Sequence, residues 1–321
     1  MSDSEPPKKK VKSSSPNNKN SSSSHPDIPF NETRVKQLHG VKWDEFPETC
    51  TGVGYYMHRD QRVQDNWALV YAQECAIEHS VPLHIVCLMT SQHPEDAGAT
   101  LRHFQFCFDG LKEVAGTCSE MNIAFHLLVD QGCEKGGGEC IVEWMKDCKV
   151  NCLVTDFSPL RQHRQIVQQI THSDKLPECN VFQVDAHNIV PVEVASDKQE
   201  YGARTIRKKI NSKLSKYLTE FPPITKHPHG DAATTLRYFG EEKEVDVKED
   251  WEGLLKSLKL DESVKPVTTY GGGAAAGMKM LQEFVSERIK LYNDKRNDPT
   301  VNALSNLSPW FHMGNISVCD N

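Results

Sequence analysis

Apolar positions along this chain come in short unbroken runs: GVGYYM (52–57), LHIVCLM (83–89), IAFHLLV (123–129), NCLVTDF (151–157) and NVFQVDA (180–186). Each is rich in Val, Ile, Leu and Phe without polar alternation, the pattern of a strand buried on both faces. Between them lie DNWALVYAQECAIEH (65–79), TLRHFQFCFDGLKEVAGTCSEM (100–121), GECIVEWMKDC (138–148) and LRQHRQIVQQITHSD (160–174), all with apolar residues at helical spacing. This β/α alternation predicts an α/β fold over residues 29–198, a doubly wound parallel five-stranded sheet.

After Ala186 the alternation stops. QEYGARTIRKKINSKLSKYLTEF (199–221) places Ile206, Ile210, Leu214 and Leu218 four residues apart, which predicts one amphipathic helix. The following stretch mixes Pro, His, Gly and acid without period, so residues 199–265 read as that helix plus an interdomain connection. GGG at 271–273 reads as a flexible joint, and a helix resumes over 275–297 with Leu281, Phe284, Val285, Ile289 and Tyr292 on one face. Residues 266–321 therefore read as the start of a second, helical domain. Its apolar face is expected to lack partners, leaving the 275–297 helix and the final segment marginally stable.

Residues 1–28 are Ser, Asn, Pro and Lys with almost nothing to bury, and are expected to be disordered. They hold Lys8, Lys9, Lys10, Lys12 and Lys19 against Asp3 and Glu5, so the formal charge of -7 hides a basic tail on an acidic body. Such a body is no general nucleic-acid binder, and any DNA contact requires a local basic surface. Lys8, Lys9, Lys10 and Lys12 form a cluster suited to a nuclear import receptor, or merely a solubilising tail; the first reading implies a nuclear protein, with cytoplasmic presence also allowed. No apolar run is long enough for a membrane span, and no signal peptide is evident. The 11 cysteines include no CxxC pair, so reduced thiols and no metal site are expected.

In a doubly wound sheet ligands sit beyond the carboxyl ends of the strands, which makes three segments candidates. HRDQRVQDN (58–66) is charged and lacks a glycine-rich phosphate loop; its simplest reading is a rim of Arg–Asp pairs capping a helix that begins near Asn66. TDFSPLRQHR (155–164) offers Ser158 and Pro159 as a helix start, and His187 and Asn188 follow the fifth strand. Near the carboxyl terminus Ser305, Asn306 and Ser308 precede a helix expected to begin at Ser308-Pro309. These residues could cap the helix or cradle an anion such as a pyrophosphate.

Together YYMHRDQRVQDNWALVYA, VTDFSPLRQHR, VDAHNIVPVEVASDKQEYGARTIRKKI, KLYNDKRNDPT and ALSNLSPWFHMGNIS resemble class II cyclobutane-pyrimidine-dimer DNA photolyases, in order and from about residue 30 to Ser317. The resemblance implies an α/β antenna domain, a long connection, and an all-helical domain that holds FAD. The resemblance further implies that light-excited reduced flavin donates an electron to a dimer flipped out of UV-damaged DNA. Carried over by position, the first FAD contacts fall on Tyr292, Leu304, Ser305, Asn306, Leu307 and Ser308.

Departures from the family pattern are Glu193 in place of an aromatic and Gly202 in place of alanine, both expected to be tolerable packing changes. The resemblance breaks off at VCDN, which implies a C-terminally truncated member. No catalytic residue is expected in this chain, and six positions are too few to enclose FAD, so the chain alone is expected to be inactive. The alternative function is a non-catalytic α/β binding module or truncated isoform, with an antenna crevice whose chromophore the sequence does not name. A monomer is expected.

Overall fold

A computed structural model describes residues 30–41, 50–90, 100–131, 136–230, 232–240, 244–247, 250–258 and 260–318. The basic cluster Lys8, Lys9, Lys10 and Lys12 and the last three residues of VCDN lie outside them. The strands are β1 (Val35–His39), β2 (Val53–Tyr56), β3 (Leu83–Thr90), β4 (Ala124–Gln131), β5 (Cys152–Asp156), β6 (Asn180–Val184), β7 (Thr234–Gly240) and β8 (Glu244–Val247). They form one sheet in the order β1-β6-β5-β2-β3-β4-β7-β8.

The five expected strands are β2 to β6, all parallel, and their order reverses between β2 and β5. The sheet is nevertheless larger than five strands. β7 adds a sixth parallel strand beside β4, while β1 and β8 run antiparallel along the two edges. Residues 234–240 and 244–247 fall in the stretch expected to be a connection; they instead extend the sheet, pairing Thr234 to Gly240 with Phe125 to Gln131.

Helices α1 (Trp67–Glu78) and α2 (Leu101–Glu120) cover one face, and α3 (Gly137–Asp147) and α4 (Arg161–Thr171) the other. The parity of the central strands decides this division. In β3, Ile85 and Cys87 join the α1/α2 core, and Val86, the residue between them, joins the α3/α4 core. Both faces are therefore apolar, and burial of each Leu, Ile or Phe side chain contributes about 1.5–3 kcal/mol. The nine described cysteines are free thiols, most of them buried, as expected of reduced thiols. Among the described residues no helix is long and apolar enough to cross a membrane.

Beyond β6 come the short helices α5 (Val192–Ala195), α6 (Ala203–Asn211), α7 (Leu214–Tyr217) and α8 (Trp251–Ser257). The single helix expected over 199–221 is thus two, interrupted at Ser212 and Lys213. Its ridge is only partly used: Ile210 and Leu214 pack beside Val190 and Tyr217, whereas α6 buries no residue. The two family departures are accommodated. Glu193 pairs with Lys36 on the surface, and a Cβ on Gly202 would meet nothing within 4 Å.

The carboxyl-terminal part contains α9 (Ala274–Glu283), a π turn over Phe284–Arg288, α10 (Ile289–Lys295) and α11 (Ser308–His312). The triple glycine before α9 is no flexible joint. A Cβ on Gly272 would stand 1.9 Å from the Phe106 carbonyl oxygen, and Gly273 has φ +98, so glycine is required for close approach to α2. Glu113 of α2 accepts from the Ala275 amide at 3.0 Å, which supplies the first turn of α9 with an acceptor.

The expectation of an unpartnered apolar face holds only in part. Met278, Val285, Ile289 and Leu291 are exposed, but the segment after α10 is well seated. Ala303, Leu307, Trp310 and Ile316 are buried, and Trp310 packs edge-on against Phe106 of α2 and tilted against Tyr270. The α/β domain itself thus supplies partners for the final segment.

Candidate functional site

The three polar segments singled out beyond the strand ends converge on one crevice of about 630 Å³. Its floor is Tyr56 to Arg59 after β2 and Cys87 to Thr90 at the end of β3; its walls are α2, the start of α4, His187 and the α11 residues Phe311 to Met313. It lies at the carboxyl ends of the strands, against the segments that follow β2 and β5, between which the strand order reverses.

A buried polar network holds the rim. The Tyr55 hydroxyl donates to Asp156 Oδ1 at 2.7 Å, and the amides of His58 and Arg59 donate to Asp156 Oδ2 at 3.1 and 3.0 Å. Asn66 Nδ2 donates to the Tyr55 hydroxyl and to the carbonyls of Asp60 and Arg62, while its Oδ1 accepts from the amides of Ala68 and Leu69. Asn66 therefore both caps α1, worth about 1 kcal/mol, and locks the preceding loop. The reading of 58–66 as a capped rim holds for the Asn66 cap and for one Arg–Asp pair, Arg62 with Asp60; the Arg59 side chain instead donates to the Phe157 carbonyl.

Asp60 is the centre of charge. Arg62 Nη1 lies 2.7 Å and His187 Nδ1 3.1 Å from its Oδ1, and both Asp60 and Arg62 are buried. Burial alone would raise the Asp60 pKa, but Arg62 and His187 outweigh it and hold the carboxyl below its ordinary value. Burial, reinforced by the nearby Asp60 charge, pushes the Asp156 carboxyl upward. The two carboxyls thus have opposite tendencies in one small volume.

His58 and His163 stand with ring centroids 4.6 Å apart at the α4 side of the crevice. His58 Nε2 contacts the Asp156 carbonyl at 2.9 Å, and its Nδ1 is buried without a hydrogen-bond partner. His163 Nδ1 meets the Ser158 hydroxyl at 3.1 Å. Ser158 does not cap α4 in the simple way expected: the cap position is Leu160, whose amide donates to Ser158 Oγ at 3.3 Å. The serine reaches over the helix start to the histidine instead.

Burial drives both imidazoles down to about 4, and the His58 charge adds to the effect on His163. Because these folded-state values lie below 6.5, protons bind preferentially to the unfolded chain as the pH falls from 6.5 toward 4. Stability contributed by the neutral rings is complete above that window and is lost through it, at about 1.4 kcal/mol per pH unit for each ring. His163→Gln is expected to reduce the pH slope of unfolding free energy by about one proton. An unchanged slope, or imidazole NMR midpoints near the unperturbed value, would contradict this.

The rim is closed by a segment far away in sequence. Arg62 Nη1 donates to the Gly314 carbonyl at 2.9 Å, the Gln61 amide to the Met313 carbonyl at 3.4 Å, and Asn315 Nδ2 to the Gln61 carbonyl at 3.4 Å. Gly314 has φ +66, and a Cβ there would lie 2.2 Å from the Arg59 carbonyl oxygen, so only glycine lets the two loops touch. The contribution of Phe311, His312 and Met313 to the crevice was absent from the sequence reading. Its one available signal was that two distinctive segments, RDQRVQDN and HMGNIS, occur in the same chain.

The six positions expected to touch a cofactor lie on the carboxyl-terminal part. Tyr292 on α10 is 39% exposed, edge-on to Phe284 with the Arg296 guanidinium over its ring. Leu304 is 47% exposed, Ser305 half-buried, and Asn306 exposed with φ +60, donating to Asn302 Oδ1 at 3.3 Å. Leu307 is buried in the Trp310 cluster, so it offers only backbone. Ser308 opens α11, as expected from Ser308-Pro309, but makes no side-chain cap, and the cap position is Leu307. Ser308 also lines a second cavity, of about 470 Å³, beside Tyr270 and His312. Of the three polar side chains, Ser308 faces that cavity, while the Asn306 amide is engaged by Asn302.

The DNA photolyase family model matches residues 53–228, more than half of the chain and all of the crevice floor. Among relatives, a deoxyribodipyrimidine photo-lyase from Potorous tridactylus is 47% identical over 293 residues, covering 91% of this chain and 51% of its own length. The corresponding protein of Arabidopsis thaliana is 36% identical, covering 89% of this chain and 55% of its own length. The chain spans about half the length of the curated relatives it matches. Among solved structures, a class III photolyase from Agrobacterium tumefaciens aligns with a TM-score of 0.54 at 16% identity, over 85% of this chain and 52% of its own. An archaeal photolyase from Sulfolobus tokodaii, described with two FAD molecules, aligns with a TM-score of 0.55 at 16% identity, over 83% and 53%. At that identity the likeness concerns the fold.

Proposed function

Because the chain belongs to the DNA photolyase family, we propose that it serves the light-driven repair of cyclobutane pyrimidine dimers in DNA, with FAD as the cofactor. The observation that carries this is the 47% identity with the Potorous photo-lyase across 91% of the chain.

The residues present fit one edge of a flavin dinucleotide. Ser305, Asn306 and Ser308 supply hydroxyl and amide donors for its phosphates, and Tyr292 presents a half-open ring on the neighbouring helix. When bound, FAD supplies the light-excited electron, and the protein's part is to bind and orient it. The crevice beyond β2 and β3 is the place for an antenna chromophore: its volume is that of a small-molecule site, and His58 Nδ1 is a buried polar atom awaiting a partner there. Nuclear import through Lys8, Lys9, Lys10 and Lys12 would bring the chain to its substrate.

The test is a UV-irradiated oligonucleotide incubated with the FAD-reconstituted chain under blue light and in the dark. Light-dependent loss of dimers would carry the proposal and overturn the expectation that the chain alone is inactive. A chain that neither retains flavin nor repairs dimers overturns the proposal in favour of a non-catalytic binding module. Replacing Ser305 and Asn306 by alanine is expected to weaken flavin retention.

A further inference from the structure

At the amino ends of the strands, opposite the crevice, two histidines and a cysteine meet on the α3/α4 face of the sheet. His84 is the second residue of β3, His126 the third of β4, and Cys148 is the residue that ends α3. The parallel register sets His126 beside Val86, so His84 and His126 are diagonal neighbours on one face. His84 Nδ1 and His126 Nε2 are 3.1 Å apart, and the two nitrogens and the Cys148 sulfur all lie within 4.8 Å of one another.

We infer that His84, His126 and Cys148 bind a zinc ion, with solvent as the fourth ligand. Two imidazoles and a thiolate are the ligand types that zinc selects, and metal–nitrogen bonds of 2.0–2.1 Å in a tetrahedron separate the nitrogens by about 3.3 Å, close to the spacing present. A direct imidazole–imidazole hydrogen bond accounts for the two rings but leaves the sulfur's approach to both without a role. Three protein ligands with the fourth position open make an exchangeable site, unlike the closed four-ligand structural type.

The surroundings suit an ion. Trp144, buried on α3, packs edge-on against His126 and His84, with ring centroids 5.4 and 6.3 Å away, and so excludes water from one side. His84 and Cys148 are only half-buried, which leaves the ion a path of entry. The Arg237 guanidinium, paired with Asp147 at 2.6 Å, lies beside Cys148. Metal binding at Cys148 releases the thiol proton to solvent; no electron is transferred. The ligands come from β3, β4 and the end of α3, so no short spacing motif announces them, and the absence of CxxC pairs in the sequence does not bear on the site.

Cobalt(II) titration of the purified chain, with zinc competition, tests this. One equivalent of cobalt is expected to give tetrahedral d–d bands and a sulfur-to-cobalt charge-transfer band, both abolished by one equivalent of zinc. Cys148→Ser is expected to remove the charge-transfer band, and His84→Asn to weaken zinc binding by about 100-fold or more, the upper end for disturbed metal sites. Both substitutions fall on half-buried positions, and circular dichroism establishes that the variants fold. Cobalt that stays octahedral in the unsubstituted chain, or a charge-transfer band that survives in folded Cys148→Ser, overturns the assignment. The readout does not involve repair activity, so it stands or falls apart from the proposed function.

Discussion

Arg62→Ala is expected to destabilise the fold by about 3–5 kcal/mol, the range for breaking a buried ion pair by removing one partner. Arg62 is 7% exposed and Asp60 1% exposed, so the guanidinium's loss leaves a carboxylate in the interior beside the His187 ring. Three further acceptor contacts disappear with it: the Gly314 carbonyl, and the Asp65 carbonyl bonded by both Nε and Nη2. Arg62→Lys is expected to recover only part of the loss, because one ammonium cannot reproduce the guanidinium fork. Urea denaturation of the two variants measures this. A cost below about 1 kcal/mol for alanine, the value of an ordinary exposed pair, would mean that the rim tolerates an uncompensated charge.

Trp310→Ala is expected to cost a comparable amount, about 3–5 kcal/mol for a buried aromatic, but to spend it locally. Trp310 is fully buried between Phe106, Tyr270 and Gly277, where a Cβ on the glycine would come within 2.9 Å of the indole. Removing the ring empties the cluster that seats residues 303–317 while leaving β2 to β6 untouched. Hydrogen exchange should therefore accelerate in that segment and remain slow in the central strands. Trp310→Phe should cost less, since it keeps a ring and removes an indole N–H that is buried without a partner. Equal protection of 303–317 in the alanine variant would refute the seating role.

The central strands were legible because their burial on both faces leaves continuous apolar runs, as in LHIVCLM and IAFHLLV. The edges were not. β1 carries Lys36, Gln37 and His39, polar residues that an edge strand can leave half-exposed, and β7 follows a stretch of Pro, His and Gly that masks it. The break between α6 and α7 was hidden because Ile206, Ile210, Leu214 and Leu218 keep helical spacing straight through it. Spacing reports which residues could share a face; it does not report whether the backbone stays helical between them.

Within the crevice, the charged composition of HRDQRVQDN and its place after a strand were enough to locate the rim. The partner of that rim was not deducible, because Arg62 and Gly314 are 252 positions apart and their contact is to a carbonyl, which every residue has. The glycine triplet was misread for a related reason. Glycine signals both freedom and close approach, and only the position of the Phe106 carbonyl decides between them.

The bond between Arg62 and Gly314 also bears on the order of events during synthesis. Strands β2 to β6 can pair once about the first two-thirds of the chain has emerged, and each of their contacts closes a loop of modest length. The lip of the crevice cannot form then, because its two sides are separated by 252 residues and the second has yet to be made. Until Gly314 arrives, Arg62 and the rim stay open to water on that side, and a molecule binding the crevice meets an unfinished wall. Loading of the crevice is thus expected to follow the synthesis of Gly314 rather than accompany that of the sheet.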